Sequence, residues 1–260
     1  MSSVATGKLS AEVEGTGTPI IFVHGLGGSS NSFQPLLQTL HGFRCVRPDL
    51  PGSARSRLPH EKLTIDVMVQ AIAEAAQMLG ASPAHLVGHS LGSIVCQHIA
   101  ARTPEAVLSL SLFGPILEPG DAARERIRDR ARSARTEGMS AVADAVVASG
   151  LSSSTRATNP LAAAFVRESH MRQEVEAFAQ TCEALAEVTA ADLRLIRCPA
   201  LLVTGDEDAV APPSAVQAMA EKLKGAKVKI LDRCGHWTPI ERPVECAKLL
   251  ADFLRAVPPA

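Results

Sequence analysis

The sequence has no tyrosine, one tryptophan and seven phenylalanines among 260 residues. That absence excludes any mechanism that needs a tyrosine acid or proton donor. An excess of one charge is missing too. Lys and Arg number 26 against 27 Asp and Glu, a net charge of −1, so neither nucleic acid nor an anionic membrane is expected as a partner. No apolar run approaches the roughly 20 residues that span a bilayer. Residues 1–10 hold one Lys and no apolar stretch of the signal-peptide kind. The six cysteines, at 45, 96, 182, 198, 234 and 246, contain no Cys-x-x-Cys pair. Reduced thiols in the cytoplasm are therefore expected, not a disulfide framework or a zinc site. The histidines form no metal set, His85 and His89 falling on a strand and a turn. No metal and no cofactor is expected.

What is present is a chain with 46% hydrophobic and 20% charged residues, enough to bury the core of one α/β domain. A short continuous apolar run at 19–23 reads as a strand buried on both faces, and the mixed apolar runs at 44–46, 84–88, 107–113, 200–204 and 227–231 read as further strands. Between them lie helical patterns. Ser32 is placed to cap a helix carrying Phe33, Leu36, Leu37 and Leu40. Apolar positions 65, 68, 72, 75, 76 and 79 follow a helical period that Gly80 ends. Helices are also expected near 214–222 and over 243–256. The alternation predicts a mostly parallel sheet flanked by helices. It breaks at 116–190, which reads as helices over 120–137, 139–149, 161–170 and 175–188. That insertion is expected to cap the carboxyl ends of the strands, where open α/β sheets bind ligands.

The chemistry centres on Gly88-His89-Ser90-Leu91-Gly92, where the strand 84–88 passes through a sharp turn into a helix. In that context Gly-x-Ser-x-Gly fits either a nucleophile or a serine that merely caps the helix, with small residues at 88 and 92 because the turn is tight, and the rest of the chain decides for the nucleophile. The N–H of Leu91 is left free at a helix N-terminus, where negative charge is stabilised. A serine needs a base, and the base needs an orienting acid. Two later loops supply them: Gly205-Asp206-Glu207-Asp208 after one strand, and Gly235-His236-Trp237 after the next. Both leave the same sheet edge as Ser90, in the order serine, acid, histidine.

With these motifs, the His24-Gly25-Leu26 loop and the turn after Asp49, the chain resembles an α/β-hydrolase with a helical cap. The resemblance covers nearly the whole chain and is greatest to 3-oxoadipate enol-lactonase-like esterases and lactonases, through overall length and the segment 172–185. It implies a single domain over 1–260, with core 1–115 and 190–260 and a cap of about 116–189 inserted after the sixth strand. It implies a catalytic triad of Ser90, Asp208 and His236, and an oxyanion hole from the backbone N–H groups of Leu26 and Leu91. His24, Gly25, His89 and Trp237 are expected to support the site or line its pocket. Asp206 and Glu207 are assigned to turn structure, and His85 and His98 to packing or hydrogen bonding. One departure is Ser53-Ala54-Arg55-Ser56, where the family usually has His-Gly before a serine; the loop reads as remote from the proton relay.

Because position 90 is serine, not aspartate, the resemblance implies acyl chemistry on a small ester or lactone instead of alkyl displacement. Two alternatives stay open: a carbon–carbon bond hydrolase of a vinylogous diketone, and a ligand-binding receptor that keeps the fold. An enol-lactone is acidic and calls for a cap arginine. Arg124, Arg126, Arg128, Arg130, Arg132 and Arg135 share one expected helix, alongside Arg167 and Arg172. A solvated face laced with ion pairs such as Asp129 with Arg132 accounts for most such runs.

Overall fold

The computed structural model describes residues 2–258. Eight strands form one sheet: β1 (Ser2–Thr6), β2 (Leu9–Glu14), β3 (Thr18–Val23), β4 (Phe43–Pro48), β5 (Ala84–His89), β6 (Val107–Phe113), β7 (Ala200–Gly205) and β8 (Lys227–Leu231). Their order across the sheet is β1-β2-β4-β3-β5-β6-β7-β8. β3 to β8 pair in parallel, while β1 and β2 add an antiparallel edge. The core helices are α1 (Ile65–Met78) and α2 (Leu91–Arg102). Five helices intervene between β6 and β7: α3 (Asp121–Glu137), α4 (Met139–Gly150), α5 (Ser153–Thr158), α6 (Pro160–Met171) and α7 (Val175–Glu187). α8 (Pro213–Ala220), α9 (Thr238–Glu241) and α10 (Pro243–Ala256) follow.

Successive strand residues face opposite sides. Ile21, Val23, Leu86, Leu110 and Leu202 join one core cluster with residues of α1 and α2. Ile20, Phe22, Val87, Leu201 and Val203 join a second, with α10 and a 3-10 helix at Ser30–Thr39. Burial on both faces is why β3 and β7 read as near-continuous apolar runs.

Three features differ from the sequence expectation. Six strands precede the insertion, of which the apolar runs marked four. β1 is a mostly exposed strand and β2 alternates Leu9, Ala11 and Val13 with polar residues, so this hairpin has no such run. The helix after β3 is 3-10 and is capped by Ser29, with Ser32 returning a hydrogen bond in a capping box. Short α5 and α9 were not expected.

The strand order places the site. The chain leaves β3 for β4 on one side, then crosses back to β5 on the other side of β3. The reversal opens a crevice at the carboxyl ends of β3 and β5, the point where such sheets bind ligands. Leu26 follows β3 and Ser90 follows β5. Among the described residues no helix is long and apolar enough to cross a membrane.

Candidate active site

β5 passes into α2 through Ser90 alone, which takes φ 51° and ψ −118°. That conformation is strained for a side chain with a Cβ. Its surroundings hold it. A Cβ on Gly88 would lie 2.6 Å from the Gly92 carbonyl oxygen, and one on Gly92 would lie 1.9 Å from that of Val23. The Ser90 N–H donates to Phe113 O at 3.0 Å.

The strained turn delivers the hydroxyl to a relay. Ser90 Oγ lies 2.8 Å from His236 Nε2, and His236 Nδ1 lies 2.8 Å from Asp208 Oδ2. The other carboxylate oxygen, Oδ1, accepts the Val210 and Ala211 N–H groups, both at 2.8 Å. Burial pushes the Asp208 carboxyl up, but the charge and hydrogen bond of His236 and the two N–H donors outweigh it, leaving it below the usual value. An ionised Asp208 fixes His236 with Nδ1 protonated and Nε2 free to accept a proton. The structure thus brings Asp208 to His236. Asp206 instead accepts the Cys234 N–H at 3.0 Å, and Glu207 accepts the Ser153 N–H at 2.8 Å. This Ser90–His236–Asp208 arrangement is that of a serine hydrolase catalytic triad.

Leu91 begins α2, so its N–H is one of the donors a helix leaves unpaired. Leu26 lies in the turn after β3, and Gly25 is packed against Ser90, where an added Cβ would stand 3.0 Å from the Ser90 Cβ. His24 donates from Nδ1 to Gly25 O at 2.8 Å and accepts the Leu50 N–H on Nε2 at 2.9 Å. Burial lowers its pKa. Among the described residues the loop at 53–56 makes no hydrogen bond or ion pair with Ser90 or His236. It braces the opening loop instead, with Arg55 bonded to Asp49 and Ser30.

Ser90 and His236 open into a cleft of about 500 Å³ under the cap, whose apolar lining includes Leu26, Ile127, Val146, Leu185, Val210 and Trp237. His89 rests against His236 and Trp237, with ring centroids 5.2 and 5.1 Å away. Four of the six α3 arginines are paired: Arg124 with Glu118, Arg128 with Glu125, Arg132 with Asp129, and Arg135 with Glu176 and Glu183. Arg126 and Arg130 carry no ion pair among the described residues, and both line the cleft. Arg167 pairs with Asp144, and Arg172 lines a separate small cavity beside Asp49.

Two residues of the site carry no sequence signal. His170 is buried in the cleft wall, edge-on to Trp237. Glu241 is buried and accepts the N–H groups of Gly235 and Trp237, on either side of His236, and that of Ser152 in the cap. Both act through contacts made only in the folded chain. His85 and His98 bond Ser109 Oγ and Thr189 O, as structural residues do. All six cysteines are free thiols.

Buried histidines give the fold a pH dependence. Burial lowers His89 to about 3 and His85 and His170 to about 4. Below the ordinary value of 6.5 the unfolded chain binds protons that the folded chain refuses. Stability is therefore full above that value and falls as pH drops toward 4, by several kcal/mol in total. Urea unfolding followed by fluorescence of the single tryptophan should show its midpoint declining across this range. A midpoint flat from neutrality to about pH 4.5 contradicts the burial of these three rings as neutral bases.

A profile described as alpha/beta hydrolase fold matches residues 18–243. A thermophilic esterase from Thermogutta terrifontis, solved with malate bound, superposes with a TM-score of 0.90 at 26% identity, covering 98% of this chain and 97% of that one. The enol-lactonase from Burkholderia xenovorans LB400 gives a TM-score of 0.90 at 26% identity, covering 98% of this chain and 100% of that one. A dihydrolipoyllysine-residue acetyltransferase component of the acetoin cleaving system from Pseudomonas putida is 27% identical over 256 residues; the match covers 92% of this chain and only 64% of that longer protein. With the sheet order, the elbow and the relay, the match over 18–243 shows that the chain belongs to the alpha/beta hydrolase fold family.

Proposed function

We propose that the protein hydrolyses a small carboxylic ester or lactone through a Ser90 acyl-enzyme. The reading rests above all on the two 2.8 Å contacts that join Ser90, His236 and Asp208 in the cleft wall. In it the chain works in the cytoplasm as a single domain, its cap of about 116–189 covering a core of 1–115 and 190–260. His236 Nε2 takes the Ser90 proton as Oγ attacks the carbonyl carbon, and Asp208 stabilises the imidazolium that forms. The oxyanion is held by the N–H groups of Leu26 and Leu91. His236 then protonates the leaving oxygen as its bond to the acyl carbon breaks. A water, deprotonated by His236, repeats the attack, and Ser90 leaves with the proton returned. His24 and Gly25 support the Leu26 donor, while His89 and Trp237 shape the pocket.

Turnover of p-nitrophenyl esters, a small lactone and a vinylogous diketone tests the assignment. Ester or lactone hydrolysis with fluorophosphonate labelling at Ser90 is expected. Preference for the diketone makes the protein a carbon–carbon bond hydrolase, and tight binding without turnover makes it a receptor.

The unpaired Arg126 and Arg130 favour an acyl group that carries an acid. A guanidinium–carboxylate bond is worth about 1.5–3 kcal/mol. Arg130→Gln should therefore cut kcat/KM for mono-p-nitrophenyl glutarate, relative to p-nitrophenyl butyrate, by about tenfold or more. An unchanged ratio in both Arg130→Gln and Arg126→Gln removes the acid from the substrate.

A further inference from the structure

The Leu26 N–H is one end of the peptide unit whose other end is the Gly25 carbonyl. A trans peptide is planar, with its N–H and C=O pointing opposite ways, so holding the carbonyl aims the N–H. Two donors hold it: His24 Nδ1 at 2.8 Å and the Gly28 N–H at 3.0 Å. Gly28 is itself held from the cap. Gln173, two residues beyond α6, places Nε2 at 3.2 Å from the carbonyl oxygens of Gly27 and Gly28 and 2.8 Å from that of Ser169. Its Oε1 accepts the Ala54 N–H at 3.2 Å. Ser169 Oγ donates to Gly27 O at 2.7 Å. Both side chains are buried. The loop is closed in from the same side by His170, since a Cβ on Gly27 would lie 2.2 Å from His170 Nε2.

We propose that Ser169 and Gln173 are positioning residues: they clamp Gly27 and Gly28 from the cap and, through the Gly28 N–H to Gly25 O bond, aim the Leu26 N–H at the oxyanion. The assignment rests on the ester or lactone hydrolase reading. It makes docking of the cap and assembly of the oxyanion hole one event. A cap lifted from Gly27 leaves the relay of Ser90, His236 and Asp208 whole but the hole with one donor misdirected.

The test compares Ser169→Ala, Ser169→Thr and Gln173→Met with the wild type and with Arg128→Gln, an exposed cap substitution outside the clamp. Each is assayed on p-nitrophenyl butyrate and against an arylboronic acid, whose adduct on Ser90 presents a tetrahedral oxygen to the hole. Ser169→Ala and Gln173→Met should each lower kcat about tenfold, less than complete loss of a donor, with KM within about twofold of wild type. The boronate inhibition constant should rise in step with the kcat loss, and Ser169→Thr, which keeps the hydroxyl, should recover most of both. Wild-type kcat and boronate affinity in Ser169→Ala and Gln173→Met, even with a lowered melting temperature, overturn the clamp and leave a structural role only. If Gln173→Met does not fold, Ser169→Ala and its threonine rescue decide alone. Ester turnover surviving in Ser90→Ala defeats the hydrolase reading instead, and is a separate outcome.

Discussion

Replacing Ser90 by alanine is expected to lower kcat for ester hydrolysis by about a millionfold, and His236→Ala by a similar factor. The two act as one unit: without the base the hydroxyl stays protonated, and without the hydroxyl the base has nothing to activate. The double substitution should therefore be no worse than either single one. Asp208→Asn should cost about ten-thousandfold, because an amide at 208 lets His236 take the wrong tautomer, with Nε2 protonated toward Ser90. The geometry behind this is the pair of 2.8 Å contacts on either side of the imidazole. Turnover of a p-nitrophenyl ester, normalised by fluorophosphonate titration of active sites, measures all four variants. Ser90→Ala retaining more than about one per cent of wild-type kcat removes Ser90 from the chemistry. Stability should move the other way at this position. Ser90 sits at φ 51°, so Ser90→Gly should be more stable than Ser90→Ala by about 1 kcal/mol.

The parts of this site that could be read from the sequence are those whose chemistry is local. Gly88 and Gly92 mark the elbow because only that turn needs them on both sides of a serine. Asp208 stands just past β7, whose two-sided burial leaves a near-continuous apolar run, and His236 follows β8, an edge strand marked only by Val228, Ile230 and Leu231 among lysines. The edge hairpin of β1 and β2 has no such mark, since Ser2, Ser3 and Val4 carry no core run and the pairing is supplied by β4. The cap arginines were readable as a charged helix, but which of them face the cleft depends on where α3 packs on α7. Only tertiary structure separates Arg126 and Arg130 from their four paired neighbours. Glu241, Ser169 and Gln173 belong to the same class. Their partners include backbone groups far along the chain, the Ser152 N–H for Glu241 and the Gly27 and Gly28 carbonyls for Ser169 and Gln173, and no spacing or periodicity encodes such bonds.

Gly92→Ala should damage folding and catalysis together. A methyl at this position meets backbone on the neighbouring strand, 1.9 Å from Val23 O, 2.6 Å from Val23 C and 2.7 Å from His24 O. No rotamer relieves a clash with a carbonyl; either α2 or the end of β3 must move. Both are buried, with residues 91–100 of α2 all inside the core, so overpacking of this kind costs about 3 kcal/mol or more. In a chain of this size that lowers the melting temperature by about 6–12 °C. The kinetic consequence is separate. β3 leads directly into His24, Gly25 and Leu26, so pushing Val23 away from the elbow draws the Leu26 N–H away from Ser90. Displacement of the order of an ångström costs about a hundredfold in rate even in molecules that fold. Gly120→Ala is the comparison, because a Cβ there meets nothing within 4 Å and should change stability by less than about 1 kcal/mol. Thermal unfolding of both variants, with kcat per titrated active site for Gly92→Ala, separates the two effects. Gly92→Ala melting within about 2 °C of wild type shows that the elbow is looser than its contacts imply. A lowered melting temperature with unchanged kcat places the displacement in α2, leaving β3, which leads to the proposed oxyanion donor, where it was.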